Sequence, residues 1–233
     1  MQLTDLSAVP GTDDRFLDFI GEICDRLELD YASYATMNPV SGAVQGYANY
    51  PDAWKHFYMR KEMHRFDPTL WASARSIAPV DWSRFERDTK FHAVFDAASE
   101  FGISSQGLTV PIRGPYGDCG LLCVTRAGTI EDWRKQRREI INELQTAAVH
   151  LHDAVMRSDV LARALHMPNL SQREQEILQW TAAGKTQTEI GDILSISYRT
   201  VEVHLRSARE KLGALTTAQA VARGVGLGVI YPR

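Results

Sequence analysis

The chain has few cysteines, no long apolar run and no large net charge, and each absence excludes a class of protein. Cys24, Cys119 and Cys123 are the only cysteines. Three thiols without metal-ligand spacing argue against a disulfide framework and a zinc site, and they fit a reducing cytoplasm. No apolar stretch approaches the ~20 residues that cross a bilayer, and the first residues lack the basic segment and apolar core of a signal peptide. We therefore expect a cytoplasmic protein without metal, cofactor or membrane contact.

The small net charge conceals an uneven distribution along the chain. Residues 170–233 carry eight basic and six acidic side chains, a net charge of +2, so the total of −3 leaves −5 for the remainder. A basic module attached to an acidic domain is typical of nucleic-acid-binding proteins. Because phosphate neutralisation supplies much of the affinity for DNA, a module of +2 binds weakly alone, and we expect a homodimer.

Helix start and stop signals in the last third of the chain predict a helix-turn-helix. The segments 171–174 and 186–189 both have the Ser/Thr-x-x-Glu spacing of a capping box, and Ser197 opens a third helix. Gly184 and Gly213 stand where helices commonly end. The second and third helices are joined by a very tight turn, as in helix-turn-helix proteins.

The third of these helices has one apolar and one polar face. The apolar stripe recurs at helical spacing and contains Val201, Leu205, Ala208 and Leu212. The opposite face carries Arg199, Glu202, Val203, Arg206 and Arg209. A helical bundle with a solvated charged face explains the charges alone, but the doubled capping box and tight turn favour a helix that enters the DNA major groove.

This stretch closely resembles the C-terminal DNA-binding domain of LuxR/NarL-type bacterial transcription regulators, over roughly residues 168–230. The matching residues include Leu170-Ser171, Arg173-Glu174, Gly184-Lys185-Thr186, Arg199-Thr200-Val201, His204-Leu205 and Lys211-Leu212-Gly213. The resemblance implies base contacts from Glu202, Val203 and Arg206, phosphate contacts from Lys185, Arg199 and Thr200, and RNA polymerase as a further candidate partner. Glu202 has a second interpretation, in which it pairs with Arg206 instead of accepting from cytosine.

Hydrophobic periodicity and turn residues before residue 166 predict a separate α+β domain. Strands are expected over residues 31–37, 43–49, 77–82, 106–113 and 119–126. Helices are expected over residues 14–28, from 51, from 67, over 90–101 and over 130–166. With helices on both faces of a mostly antiparallel sheet, this is an α/β/α three-layer sensor domain, and it lacks the strand-helix alternation of a phosphoacceptor receiver. Because Pro168 disfavours helix at the residue before it, the predicted divisions are 1–165 for ligand binding and dimerisation, 166–169 for a linker, and 170–233 for an all-α, four-helix helix-turn-helix domain.

Aromatic residues and one carboxylate concentrate in the first domain, where Tyr50, Trp54, Tyr58, Asp67, Pro68 and Trp82 lie within 33 positions. Trp and Tyr combine an apolar body with one polar group, which suits enclosure of an amphipathic small molecule. A buried carboxylate among aromatics is costly unless it accepts a hydrogen bond. The residues alone leave a second interpretation open, in which the aromatics are ordinary core and Asp67 only caps a helix.

These residues look like the N-terminal domain of LuxR-type acyl-homoserine-lactone receptors, and Phe101-Gly102-Ile103 and Gly107-Leu-Thr-Val-Pro111-Ile112 continue the match. The resemblance implies that Trp54 donates to the lactone carbonyl, that Asp67 accepts from the ligand amide and that Tyr50 donates to the acyl carbonyl. Tyr58 and Trp82 are then walls of the lactone site. An apolar channel should hold the acyl tail, with candidates Ala32, Tyr34, Thr36, Ala48, Leu70, Val110, Leu121 and Cys123. Cys123 stands where some relatives have a hydroxyl that reads the 3-position of the chain.

The leading hypothesis is a transcription factor that folds around an N-acyl-homoserine lactone and then binds a pseudo-palindromic operator as a dimer. An orphan regulator that binds DNA without ligand, or that senses a different small molecule, is the alternative. An enzyme is disfavoured because His56, His64 and His92 lack partner spacing and no Gly-x-Ser-x-Gly motif is present.

Overall fold

The computed structural model describes residues 3–6, 15–37, 43–71, 73–114, 119–158 and 169–231. These residues form two compact units, one that reaches Ser158 and one that starts at Asn169. Most of the predicted linker, residues 166–168, lies outside the described residues, so its limits stay a prediction. Among the described residues, no helix combines the length and apolarity needed to span a bilayer.

A six-stranded sheet forms the centre of the first unit. Its strands are β1 Leu3–Asp5, β2 Tyr31–Met37, β3 Val44–Ala48, β4 Val80–Asp81, β5 Gly107–Arg113 and β6 Cys119–Thr125. They lie in the order β1-β3-β2-β6-β5-β4. Every neighbouring pair is antiparallel except β1 and β3, which run parallel.

Helices cover both faces of this sheet and confirm the predicted three-layer domain. Helices α1 Arg15–Leu27 and α5 Ile130–Arg157 cover one face, where Phe16 contacts Tyr47 and His152 contacts Tyr34. Helices α2 Asp52–Arg60, α3 Pro68–Trp71 and α4 Thr89–Glu100 belong to the other face. Alternate residues of each strand therefore face different helical layers.

The structure differs from the expected elements at both edges of the sheet and at the end of helix α5. Strand β1 was not predicted, because three residues are too few to show a period-2 pattern. The strand expected over residues 77–82 is only two residues long, and Ile77 is 85% exposed, so its apolar side chain contributes nothing to a buried face. The helix expected over residues 130–166 ends at Arg157, because Ser158 takes an extended conformation with φ −77° and ψ 142°. The first residue of the helix expected over 14–28 lies outside the described residues.

The described part of the second unit contains four helices: α6 Gln172–Ala182, α7 Gln187–Leu194, α8 Tyr198–Lys211 and α9 Thr217–Gly226. Both predicted capping boxes are present, at Ser171 and at Thr186, and Ser197 caps α8. The predicted stripe Val201, Leu205, Ala208 and Leu212 is buried against α6, α7 and α9. Ser195, at the end of α7, takes a left-handed conformation with φ 54°, which reverses the chain in the short turn before α8.

Candidate functional site

A cavity of about 140 Å³ lies between the sheet and helices α2, α3 and α4. A single water needs only roughly 10–15 Å³ of such space, so this cavity has room for a small organic molecule. Most of its lining is apolar, with a few polar atoms. This composition is typical of small-molecule binding sites.

Strand register decides which sheet residues face the cavity. Ser33 pairs with Cys123 across β2 and β6, and Ala35 pairs with Gly46 across β2 and β3. All four line the cavity, and Ser33 and Ala35 are only half-buried because they border this space. Tyr34, between them, is fully buried on the other face of the sheet.

Aromatic rings form the wall opposite the sheet. Trp54 and Tyr58 are four residues apart on α2, which places them on one face of the helix, and their ring centroids are 5.6 Å apart with the rings edge to face. Trp54 also packs against Phe101, at 5.5 Å. Trp82 lies against Phe95 of α4, at 5.5 Å. The wall is thus held by ring contacts within the protein.

Asp67 caps a helix, as one of the two interpretations of the sequence expected, and it also lines the cavity. Its Oδ1 accepts hydrogen bonds from the Thr69 backbone N–H and hydroxyl, both at 2.7 Å, as a cap of the short helix α3. Its Oδ2 accepts from the Tyr58 hydroxyl, also at 2.7 Å. Burial raises the pKa of Asp67, and the bonds from Tyr58 and Thr69 oppose that shift. A carboxylate has about four acceptor positions, so one is left for a ligand N–H.

Two hydrogen-bond donors accompany this acceptor. The Trp54 side chain is 5% exposed and makes no hydrogen bond to any residue that the structure describes. The Tyr50 phenol also lines the cavity. Burial raises the pKa of Tyr50 well above its ordinary value, which a hydrogen bond with Ser33 partly offsets, so the phenol keeps its proton.

Trp82 uses its polar atom within the protein. Its Nε1 donates to Thr109 Oγ1 at 2.8 Å, and this hydroxyl lies 3.3 Å from Cys123 Sγ. Burial raises the pKa of Cys123 to about 12, so the thiol stays protonated. The Trp82 ring therefore lines the cavity, whereas its N–H is bonded within the protein.

The structure brings most of the predicted ligand residues together, but not all of them. The cavity lining includes Tyr34, Ala48, Tyr50, Trp54, Tyr58, Asp67, Leu70, Trp82 and Cys123. Thr36 and Val110 do not line it, nor do Ala32 and Leu121. Tyr34 directs its hydroxyl away, to His152 Nδ1 on α5 at 2.7 Å.

One physical reason explains the difference for β2. Strand side chains alternate between the two faces of a sheet, and Ala32, Tyr34 and Thr36 share the face that α1 and α5 cover. Sequence reasoning missed Ser33 and Ala35, which occupy the cavity face, because both faces of β2 carry small or aromatic residues and the sequence does not show which face is which. Sequence reasoning also missed Thr69 and strand β1. Only the position of Thr69, two residues after Asp67, could have indicated that Thr69 belongs to the site.

In the second unit, the predicted DNA-facing residues are mostly exposed. Lys185, Arg199, Glu202, Val203 and Arg206 are exposed, and Thr200 is half-buried. Val203 is 53% exposed although apolar. Among the described residues, no ion pair joins Glu202 to Arg206, which leaves both side chains available for a partner.

Helix α6 holds both helices of the helix-turn-helix. Arg173 Nη2 donates to the Leu194 carbonyl at the end of α7, at 2.9 Å. Glu174, which is buried, accepts from Ser207 Oγ at 2.7 Å and from Lys211 Nζ at 2.8 Å, both on α8. Burial by itself would raise the pKa of Glu174, but the bonds from Lys211, Ser207 and the Ser171 backbone lower it to about 2. The orientation of α8 is thus fixed by neighbours on its inner side.

Within the described residues, no group of three or more His, Cys, Asp or Glu side chains is arranged to hold a metal ion.

Two family models match the chain, one on each unit. The model described as autoinducer binding domain matches residues 12–155, and the one described as bacterial regulatory proteins, luxR family, matches residues 168–223. Together they leave residues 1–11, 156–167 and 224–233 unmatched.

Curated relatives align over nearly the whole chain. The transcriptional activator protein RaiR of Rhizobium etli is 33% identical over 90% of this chain and 90% of its own length. The transcriptional activator protein AhyR of Aeromonas hydrophila is 30% identical over 94% of this chain and 87% of its own. Both alignments cross from the first unit into the second.

Solved structures of SdiA match both units. A crystal structure of Escherichia coli SdiA superposes with a TM-score of 0.69 at 26% identity and covers 97% of this chain and 94% of its own. SdiA in complex with octanoyl-rac-glycerol superposes with a TM-score of 0.71 at 26% identity, over 96% of this chain and 91% of its own.

Proposed function

Because the chain belongs to the LuxR family of autoinducer-binding transcriptional regulators of quorum sensing, we propose that its cavity binds an N-acyl-homoserine lactone and that binding prepares the second unit to bind DNA as a dimer. The observation that carries the proposal is the donor and acceptor set of the cavity. Trp54, Tyr50 and Asp67 offer an indole N–H, a phenol O–H and a carboxylate. An acyl-homoserine lactone presents two carbonyls and one amide N–H in its head group, so each polar atom finds one partner.

The head group fits at the aromatic wall. Trp54 donates to the lactone carbonyl, Tyr50 donates to the acyl carbonyl, and Asp67 accepts from the amide. Tyr58 and Trp82 enclose the ring. Since Tyr58 and Thr69 already hold Asp67 in place at 2.7 Å, the carboxylate is oriented before the ligand arrives. Such pre-organisation lowers the entropic cost of binding.

The acyl tail extends along the apolar part of the lining towards β3 and α3. This part includes Ala35, Val44 and Leu70. Cys123 presents a thiol, which is a weaker hydrogen-bond partner than a hydroxyl, so we propose that the protein does not favour a 3-oxo substituent.

Ligand binding is coupled to folding in this proposal, because the cavity separates two apolar clusters of the first unit. One contains Trp54, Trp82 and Phe95, and the other contains Val44, Leu70 and Leu121. A ligand between them adds apolar contacts that the empty chain lacks. A ligand that binds only the folded state stabilises it by about 2.7 kcal/mol at a hundredfold excess over Kd, which is enough to change the accumulation of a marginally stable domain.

On DNA, α8 enters the major groove in this proposal, with Glu202, Val203 and Arg206 at base edges and with Lys185, Arg199 and Thr200 at phosphates. Two copies bind two half-sites of a pseudo-palindrome. A module with a net charge of +2 gains phosphate contacts by pairing, which supports a dimer.

The test is soluble yield and operator affinity of the full chain, expressed with and without N-acyl-homoserine lactones of several tail lengths. We expect a higher yield and tighter DNA binding with one tail-length class. Equal yield and equal affinity in every culture would refute the ligand-coupled mechanism.

A second candidate ligand class is a non-lactone lipid. The solved complex of SdiA with octanoyl-rac-glycerol carries such a molecule, and a glycerol ester offers a carbonyl and hydroxyls to the same Trp54, Tyr50 and Asp67. Mass spectrometry of the small molecule that co-purifies with the chain distinguishes the two classes. A chain that binds its operator with no bound molecule is instead an orphan regulator.

A further inference from the structure

We propose that strand β1, residues Leu3–Asp5, is a lid that must leave the sheet for a ligand to enter or leave the cavity. The inference rests on the proposed function, because it assumes that a small molecule occupies this cavity. It assigns the passage of the ligand to one end of the sheet and to three named residues.

The lid is part of the cavity wall. All three residues of β1 line the cavity. Leu3 pairs with Val44 and Asp5 with Gly46, and both partners lie on the cavity face of β3. Leu3 and Asp5 therefore point to the same face, whereas Thr4, paired with Gln45, points to the opposite one. Moving β1 away would open the β3 side of the cavity.

Within the described residues, the lid is an edge strand that pairs only with β3, over three residues. Its side chains are only half-buried. Asp5 Oδ2 lies 4.0 Å from Lys55 Nζ, while the same ammonium is 2.8 Å from Asp52 Oδ1, so the lid shares its ion pair with a closer competitor. Leu6, which follows, is completely buried and keeps the chain attached while residues 3–5 move.

The other described walls are held more firmly. Strands β2, β3 and β6 have a hydrogen-bonded neighbour on each side, so none can leave without breaking two ladders. Helix α2 is fixed by Trp54 and Phe57, whose rings contact Phe101 at 5.5 and 5.4 Å. Since local opening follows the least stable element, β1 opens at lower cost than β2, β3, β6 or α2.

A reversible cross-link tests the lid. Thr4→Cys with Gln45→Cys places two thiols on paired residues of neighbouring strands, within the reach of a disulfide, with both side chains directed to the face away from the cavity. The full chain is loaded with tritiated N-octanoyl-homoserine lactone, and release is followed after addition of excess unlabelled lactone. The reduced form of the same protein is the control.

We expect oxidation to slow release and uptake alike, by about tenfold or more, with little change in Kd, and we expect reductant to restore both rates. Equal release rates in the two forms would overturn the lid. If the lactone binds neither form of the double variant nor the unmodified chain, the proposed function is wrong, and the lid proposal fails with it.

A pair of single substitutions gives a second measurement, which decides the question if the double variant does not accumulate. Asp5→Asn removes the carboxylate that ties the lid to Lys55, and Asp52→Asn removes the other partner of the same lysine without touching β1. We expect Asp5→Asn to speed release by about two- to fivefold and Asp52→Asn not to speed it. Equal effects of the two variants would contradict the lid.

Discussion

At the scale of single residues, Trp54 offers the cavity both an apolar ring and one unpaired N–H, and the two contributions can be separated. Trp54→Phe keeps a ring and removes the donor. We expect it to weaken lactone binding by about 1–3 kcal/mol, because a ligand carbonyl is then buried without a partner. Isothermal titration or ligand-dependent melting of the full chain measures this loss.

Trp133→Phe is the matched control. The Trp133 N–H is buried on α5 without a hydrogen-bond partner among the described residues, so its removal deletes an indole donor far from the cavity lining. A similar loss of ligand affinity in both variants would argue against the role proposed for Trp54.

On the second unit, Arg206 and Arg199 are both exposed on α8 but have different proposed partners. Arg206→Ala should cost about 1–3 kcal/mol of operator affinity and relax the preference at one base pair. Arg199→Ala should weaken binding to all operator sequences alike, and it should reduce the salt dependence of the affinity by about one phosphate contact. Binding to a panel of single-base operator variants at two salt concentrations distinguishes them. The assignment is wrong if Arg206→Ala leaves the base preference intact.

At the scale of elements, β5 approaches the Trp82 ring so closely that only glycine fits at position 107. A Cβ there would lie 2.4 Å from the ring. We expect Gly107→Ala to displace Trp82, to lower the free energy of unfolding by about 1–3 kcal/mol and to weaken ligand binding. Urea unfolding at one fixed lactone concentration measures the change in the free energy of unfolding, and titration with lactone measures the change in affinity.

Gly21→Ala on α1 is the control, because a Cβ at Gly21 meets nothing within 4 Å. In a helix this change should be neutral or stabilise by about 0.4–1 kcal/mol. If Gly107→Ala is as harmless as Gly21→Ala, the Trp82 wall is not held as described.

The contact between α6 and α8 depends on pH through Glu174. Its pKa falls from 4.5 to about 2 on folding, so its contribution is complete above about pH 4.5 and is lost as the pH falls towards 2. A shift of this size corresponds to about 3 kcal/mol. We expect exchange protection of α8 amides, corrected for intrinsic rates, to fall over this window, and Glu174→Gln to lower protection at neutral pH and to flatten the profile.

Glu189→Gln provides the comparison. Glu189 also completes a capping box, but it is exposed and contacts Lys185 rather than α8. We expect a smaller loss of protection in α8. The same loss in both variants would show that helix capping, not the contact with α8, carries the effect.

The elements differ in how far the sequence specified them. The capping boxes at Ser171 and Thr186 were predictable because a cap depends on residues three positions apart. The face of β2 was not, since Ser33, Tyr34, Ala35 and Thr36 fit either side, and only pairing with β3 and β6 decides. Strand β1 was unpredictable for a related reason: three residues form a strand only because β3 is already there.

At the scale of the whole molecule, the cavity was predictable in its chemistry but not in its shape. The four-residue spacing of Trp54 and Tyr58 placed both rings on one face of a helix, and the family resemblance, not the spacing, associated Asp67 with them. The extent of the cavity depends on how β3, α3 and α4 pack, which no local pattern contains. Tail length is therefore the property of the ligand about which the sequence says least.

A dimer on DNA predicts a dependence on the spacing of half-sites. Half-sites about one turn apart place both α8 helices on the same side of the duplex. Inserting about five base pairs at the centre of a selected operator should abolish dimer binding, while about ten should be tolerated better. Affinities measured at one fixed salt concentration check this. If the insertion leaves the affinity unchanged, each copy binds its half-site independently.

Neighbouring positions of β2 serve unrelated tasks, since Ser33 borders the cavity and Tyr34 bonds to His152 on α5. Substitutions at the odd-numbered positions of β2 change which ligand the cavity accepts, while the even-numbered positions keep the packing against α1 and α5. Evolution can therefore alter ligand preference in this family without altering the fold.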